Sequence, residues 1–597
     1  MHKKLLKSLA AAMLLLTSAN AFAEIDSYEV GDMGFLRTPM ETANGIILTN
    51  SKYSEIYALD GEKLTPILQE RNCGLYTNLS PDGKYLGFKS FNDADEQAPA
   101  ILDVTTGIVT ILEDYVWECG QVSFANDGTM AYTMGNRLIV RKGNTRKAFD
   151  LGFYTNIANI SPDGTQVAYS NIDGRMYIIN VTSGSKEFLP VTDGYRPIWS
   201  PDGSKIAIQT ANGTLAVQER ATKKIFNLGQ GESISWANNS EELIYTQTDR
   251  INDFQILGSS IKKVNFDGTG EITLVKSSDN LPTDAIITRD NKLYVPYKTG
   301  ATRGLVDKEL VEGITPSAAS VKEETILNFD NEAIVGLRHS NANDNPNIKP
   351  SPTPAGGTIG ELDIPYMSQI YDSPAVNGCT DHGYLTCAPT SACMHLGYYD
   401  LLPQKTTTSR SGGSESPRTQ KYAHAISAVF TNKSGSKTFN TTAYGNGCYN
   451  VPGGYGYMWN GSTPGDGRMG TFYTLNGCTS ATYTWSSSTA WSWLDSEAAA
   501  GRPTPLCIAL DSGGHLILGF RSNQYYRTSE GGFVAKTGCF VCHDPYGDDN
   551  DATWADNDGQ HSSYDWIGYN SGRANIGTFY WSIKVGIPAS AITPVEK

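Results

Sequence analysis

Through the first half of the chain, hydrophobic and polar residues alternate in short runs with a period of two, and each run is bounded by a turn. Leu86-Gly87-Phe88, Val167-Ala168-Tyr169 and Ile206-Ala207-Ile208 lie in three such runs, which follow the Ser-Pro-Asp-Gly turns Ser80 to Gly83, Ser161 to Gly164 and Ser200 to Gly203. Proline presets φ, glycine accepts a positive φ, and the alternation behind the turn is that of a half-buried strand. Degenerate copies take the same form: Ala125 to Gly128 before Met130-Ala131-Tyr132, Ala237 to Ser240 before Leu243-Ile244-Tyr245, and Arg289-Asp290-Asn291 before Leu293-Tyr294-Val295. Asn44-Gly45 before Ile46-Ile47-Leu48 reads as one more. A strand-pair unit recurring about every 40 residues is the pattern of propeller blades, and it predicts about six or seven of them.

The pattern changes twice more. Residues 341–360, with Asn345-Pro346-Asn347 and Lys349-Pro350-Ser351-Pro352-Thr353-Pro354, lack apolar residues for a core and read as a linker between separately folded halves. Beyond it, Cys387-Ala388-Pro389 opens a helical spacing through Ala392, Leu396 and Tyr399, while Leu506 to Leu510, Leu516 to Phe520 and Phe540 to Cys542 read as strands. At the other end, Lys3, Lys4 and Lys7 precede an apolar run from Leu9 to Leu16 and the small-residue step Ala21-Phe22-Ala23, the order of a secretory signal cleaved after Ala23. That run is shorter than the roughly 18 residues a membrane span needs, and no later stretch reaches that length. The expected fold is multidomain: a signal at 1–23, an all-β propeller over 24–340, the linker at 341–360, and a second, α+β domain over 361–597.

Composition narrows the function. A net charge of −15 without a basic run argues against a nucleic-acid partner. Sixty glycines with only 18% charged residues suit turn-rich β structure. The ten cysteines of an exported chain can form disulfides, and Cys73 and Cys119, at nearly equivalent positions of neighbouring blades, are a candidate pair. Cys539 and Cys542 meet the Cys-x-x-Cys spacing, but no second pair completes a zinc site. The aspartates of the blade turns read as turn chemistry rather than metal ligands. Asp549, Asp551, Asp556 and Asp558, with Gly559, cluster oxygen ligands in a manner that a structural calcium could use, although a solvated acidic loop is the simpler reading; no cofactor is required.

Candidate chemistry lies in the second half. Cys387 at a helix start gains from the helix dipole and unpaired N–H groups, which favour the reactive thiolate. His515 follows two glycines at the head of an apolar strand, and Asp544 ends another strand before Pro545-Tyr546-Gly547, where a carboxylate can orient an imidazole. His543 and His382 compete for the base, His395 reads as surface or packing, and Cys379 and Cys393 are rival thiols.

Two resemblances then take hold. The Ser-Pro-Asp-Gly repeats are similar to those of TolB-like propellers, over about residues 30 to 335. Ile364-Pro365-Tyr366 with Gln369, Cys387-x-Pro389-Thr390-Ser391 with Met394 and Leu396-Gly397-Tyr398-Tyr399, Gly514-His515, and Asp544-Pro545-Tyr546-Gly547 resemble papain-like cysteine peptidases related to the bacteriocin-leader-processing (double-glycine peptidase) family. That resemblance implies Cys387 as nucleophile, His515 as general acid and base, Asp544 as orienter and Gln369 in the oxyanion hole, acting on a peptide or protein substrate. The propeller would then hold a substrate, protein or surface partner. Acyl transfer by the same residues, or a non-catalytic binding protein, are the alternatives.

Overall fold

The computed structural model describes most of residues 35–309, the strand Glu324–Phe329 and most of residues 362–591; the segments 1–34, 310–323, 330–361, 373–385, 409–418, 441–467 and 592–597, with a few shorter ones, are outside the description. The signal segment and the linker therefore fall outside the described residues, as do Cys379, His382, Asp551 and Asp556.

The first half is a seven-bladed propeller. Six blades are four-stranded antiparallel sheets, and the seventh has its inner strand broken into Leu281–Pro282 and Ile286–Ile287, both paired with Lys292–Thr299. Every turn singled out by the repeat joins the first and second strands of a blade, so these turns share one rim. Their side chains explain the motif. Ser80 Oγ donates to Asp82 Oδ1 at 2.7 Å and accepts from the Tyr85 amide, while Gly83 adopts φ 71°. The same contacts recur at Ser161 with Asp163 and at Ser200 with Asp202. The aspartates thus serve the turn, as a side chain that replaces missing backbone partners. The ring closes where blade 7 meets blade 1, through Thr38 N to Asp284 Oδ2 at 3.1 Å and Thr283 Oγ1 to the Leu36 carbonyl at 3.1 Å.

The second half is built on a seven-stranded sheet in the order Ser480–Thr484, Thr578–Gly586, Thr504–Leu510, Gly513–Arg527, Gly532–His543, Ser562–Asp565, Ala574–Asn575, antiparallel except for the last pair. On one face packs the helix Cys387–Tyr398, whose Ala388, Ala392 and Leu396 meet Leu516, Leu518, Phe520 and Val541. On the other face lie the helix Ser487–Ala499, through Ala490, Trp491 and Leu494, and the propeller itself, through Tyr154, Ile157, Tyr195 and Ala211.

The two halves are therefore packed together. The propeller rim opposite the Ser-Pro-Asp-Gly turns is the docking face: Lys89 Nζ donates to the Asn570 carbonyl at 2.6 Å, Trp117 Nε1 to the Ala535 carbonyl at 2.9 Å, and Asn156 Nδ2 to the Gly568 carbonyl at 3.0 Å. Asp193 of the blade 4 to blade 5 connection accepts from Ser488 N at 3.0 Å, which satisfies an orphan donor at the start of helix Ser487–Ala499. At the centre of the interface, Asp95, only 2% exposed, receives Arg71 at 2.7 Å, Arg527 at 3.0 Å and Arg573 at 3.4 Å. Burial would raise its pKa, but the surrounding guanidinium groups of Arg573 and Arg71 hold it far below the usual carboxylate range.

One expectation is corrected here. Cys73 and Cys119 are both free thiols, as are the other six described cysteines, so no Cys73–Cys119 disulfide joins the blades. Cys73 packs with Ile47, Leu86 and Phe88 in the core of the first two blades, whereas Cys119 sits beside the ammonium groups of Lys89 and Lys536. Burial pushes the Cys119 thiol up to about 11. No helix among the described residues is long and apolar enough to cross a membrane.

Candidate active site

Cys387 is the first residue of its helix. Thr386 precedes it without a side-chain cap bond, and Pro389 brings no N–H of its own, so the first turn directs its donors and its dipole at the sulfur's end of the helix. The helix is fastened to the histidine strand by Ser391 Oγ, which donates to the Leu516 carbonyl at 2.9 Å. That bond sets the cysteine against the head of strand Gly513–Arg527, where His515 stands.

His515 and Asp544 come from adjacent long strands, and His515 Nε2 lies 2.6 Å from Asp544 Oδ1. This leaves the imidazole Nδ1 for the thiol, and a Cys387 hydrogen bond is among the influences on the ring. Burial pulls the His515 pKa down, but the Asp544 carboxylate, with the Cys387 contact, outweighs it and raises it to about 10. All three side chains are nearly enclosed, with exposures of 7% for Cys387, 5% for His515 and 0% for Asp544. Trp554 stands edge-on to the imidazole at 5.3 Å and also packs on Tyr546, which screens the pair from water.

Asp544 is held on every side. Its Oδ1 also accepts from Tyr546 N at 2.8 Å, and its Oδ2 accepts from the Tyr564 hydroxyl at 2.7 Å. Its own amide donates to the Gly559 carbonyl at 2.8 Å, and its carbonyl accepts from the Tyr366 hydroxyl at 3.1 Å. Neither Tyr564 nor Gly559 stood out in the sequence as part of this site. Tyr564 lies on a short strand whose local text carries no motif, and Gly559 read only as a bend in an acidic loop. A Cβ on Gly559 would overlap the Asp544 carbonyl oxygen and come within 2.9 Å of Tyr366 Oη. Gly559→Ala should therefore move Asp544 and its imidazole, lowering the kcat/KM of any reaction that depends on the pair by about a hundredfold. Steady-state kinetics beside a thermal melt would check this, the expectation being a loss of rate larger than any loss of folded protein.

Gln369 is buried at 1% exposure, and its backbone N–H donates to the Pro545 carbonyl at 2.7 Å. Met367 N donates to Met394 Sδ at 3.3 Å, so the glutamine segment is tied both to the cysteine helix and to the turn after Asp544. The rival histidines are placed elsewhere. His543 is buried with Nε2 near the Ile364 carbonyl at 3.3 Å, and burial lowers its pKa to about 3. His395 is buried, with Nδ1 3.0 Å from the Tyr473 hydroxyl, and burial lowers it to about 3 as well, so it packs in the core rather than at the surface. Cys393 is fully buried on the same helix as Cys387.

Of the proposed calcium ligands, Asp549 and Asp558 are described. Asp549 pairs with Lys52 of the propeller, and Asp558 Oδ1 accepts from Asp548 N at 2.9 Å. No group of three or more metal-ligating side chains occurs among the described residues.

None of the curated proteins compared with the chain matches it. Among solved structures, the chain is similar to TolB from Acinetobacter baumannii, with 20% identity and a TM-score of 0.31, covering 41% of this chain and 65% of that one. It is also similar to a chain of the mitotic checkpoint complex (14% identity, TM-score 0.35, covering 48% of this chain and 95% of that one). A third likeness is to the Cps50 (Swd1) propeller of Myceliophteria thermophila (14%, TM-score 0.32, 42% and 85%). Residues 361–572 match the model of the Peptidase_C39 like family. The strands that carry His515 and Asp544 thus lie within the stretch similar to the Peptidase_C39 like family, which follows a seven-bladed propeller.

Proposed function

We propose that the protein is an exported cysteine peptidase. Cys387 attacks, His515 carries the proton, Asp544 orients the imidazole, and Gln369 with the Cys387 N–H stabilises the oxyanion. The observation that carries this reading is the buried His515 Nε2 to Asp544 Oδ1 contact of 2.6 Å, made by an imidazole that also meets the thiol at a helix start. A carboxylate on one ring nitrogen fixes the tautomer and favours the imidazolium, the proton donor that the leaving amine needs.

In the reaction, the thiolate adds to the scissile carbonyl, and the developing oxyanion is met by the donors at the helix start and by Gln369. His515 gives its proton to the amine as the C–N bond breaks. Water then adds to the thioester, losing a proton to His515, and the C–S bond breaks to release the acid and regenerate the sulfur. The propeller, closed over the other face of the same sheet, holds the substrate or partner, and export rests on the N-terminal signal pattern of Lys3 to Ala23. The test is covalent: iodoacetamide should block hydrolysis of a protein substrate such as casein in step with a single adduct that peptide mapping places on Cys387. Complete block with the adduct elsewhere would sink the assignment.

The pH profile gives a second expectation. The group that titrates is His515, which faces Asp544 and Cys387. Its pKa stands above the usual 6.5, so the imidazolium is retained below that value and lost only as pH rises toward about 10. The alkaline limb of kcat/KM should accordingly lie well above pH 7. Asp544→Asn removes the larger raising charge and leaves burial opposed only by the Cys387 contact, so the limb should move down by about one unit or more, with a measurable remainder of activity. An unmoved limb in Asp544→Asn would show that the profile reports another group.

A further inference from the structure

Between the mouth of the propeller and the C-terminal domain lies a cavity of about 170 Å³. Its walls carry five basic side chains, Arg37, Lys52, Arg196, Arg250 and Arg573, against two carboxylates, Glu232 and Asp549, in a chain whose net charge is −15. Most of the cations are engaged. Lys52 pairs with Asp549, Arg250 lies 3.7 Å from Glu232, Arg573 reaches Asp95, and Arg37 donates to the Tyr53 hydroxyl at 2.8 Å while packing on the Phe35 ring. Arg196 differs: it is half-buried on the inner strand of blade 5, beside the phenols of Tyr76 and Tyr195, and no carboxylate of the described residues pairs with it.

A guanidinium in a partly desolvated cavity is stabilised by an anion, and its planar fork matches a carboxylate at two points. The cavity is also close to the catalytic strands in the fold. Ala509, in its wall, pairs with Gly514, the neighbour of His515. Asp549, also in its wall, lies on the stretch between Asp544 and Gly559 that includes Trp554, the residue edge-on to His515. We infer that this cavity is a carboxylate-binding subsite, built by the propeller and the C-terminal domain together, which selects peptide substrates by an acidic side chain or a terminal carboxylate. The inference rests on the peptidase reading for the word substrate, and on Arg196 and the cavity for the word carboxylate.

The test separates the two. Full-length Cys387→Ala protein, which needs no turnover to bind, is titrated by fluorescence anisotropy with three fluorescein-labelled probes: pentaglutamate with an amidated end, pentaglutamine with an amidated end, and pentaglutamine with a free carboxylate. Binding of pentaglutamate but not of amidated pentaglutamine assigns side-chain recognition, and binding of the free-acid pentaglutamine assigns the terminus. In either case Arg196→Gln should weaken the acidic probe by about tenfold or more, and Arg196→Lys, which keeps the charge but loses the fork, should weaken it less. Circular-dichroism melts of each variant confirm that the fold is kept. Equal affinity for all three probes, no affinity for any, or an acidic probe indifferent to Arg196→Gln would overturn the inference. If the acidic probe binds through Arg196 while the wild-type protein hydrolyses nothing, the peptidase reading fails and the anion site stands. Hydrolysis without preference for acid has the opposite meaning.

Discussion

On the proposed peptidase reading, Cys387→Ala should lower hydrolysis by about 10³-fold or more, because it removes the atom assigned to form the covalent bond and no other described sulfur is placed to replace it. Cys393 is fully enclosed in the helix core, and Cys539 and Cys542 are buried in the sheet with their thiols pushed up by desolvation. None of these touches His515 in the way Cys387 does. His515→Ala should cost nearly as much, and the double variant little more than either single one, since that reading makes the two residues one proton-coupled unit. The measurement is kcat/KM on a fluorogenic peptide for the two single variants and the double. Full activity in Cys387→Ala would transfer attention to Cys379, in the segment just before the helix. Additive losses would mean that the imidazole serves something other than the sulfur.

Asp95→Ala is the substitution with the largest expected effect on stability, about 3 to 5 kcal/mol, because it leaves Arg71, Arg527 and Arg573 gathered in the interface without their shared carboxylate. That is a large part of the roughly 5 to 15 kcal/mol by which a protein is stable. The loss should also be visible in how the chain comes apart. Wild-type protein should unfold in one transition with the docking face protected, whereas Asp95→Ala should expose the blade 2 loop and the strand Gly532–His543 to protease before either half unfolds. Asp95→Asn keeps the shape and removes the charge, and it should lose most of the same stability; if it behaves as wild type, packing rather than charge holds the halves together. Urea denaturation followed by limited proteolysis decides between these outcomes. A further consequence concerns the order of cutting. The linker at 341–360 reads as the exposed joint, yet cutting there should leave the two halves associated, since the contacts between them lie elsewhere.

The repeat, the turn residues and the helix start were legible in the sequence because each is a local matter. A Ser-Pro-Asp-Gly turn closes within six residues, through Ser80, Asp82 and Tyr85, so its chemistry is written where it acts. The start of a helix at Cys387 follows equally from Pro389 and the spacing of Ala392 and Leu396. Even the choice of His515 over His543 drew on local context, the glycines and the strand behind them, joined to a family resemblance. What only the tertiary structure decided depends on pairs far apart in the chain. The blade count needed the closure of blade 7 on blade 1, made by Thr38 and Asp284. The absence of a Cys73–Cys119 bond turned on each sulfur's own surroundings, which equivalent positions in a repeat do not reveal. Tyr564, Gly559 and Trp554 became part of the site because the sheet register and the acidic loop bring them to Asp544 and His515. Asp95 meets Arg527 and Arg573 across more than 400 positions of sequence, and a buried charge has no local signature because its cost and its compensation come from different parts of the chain.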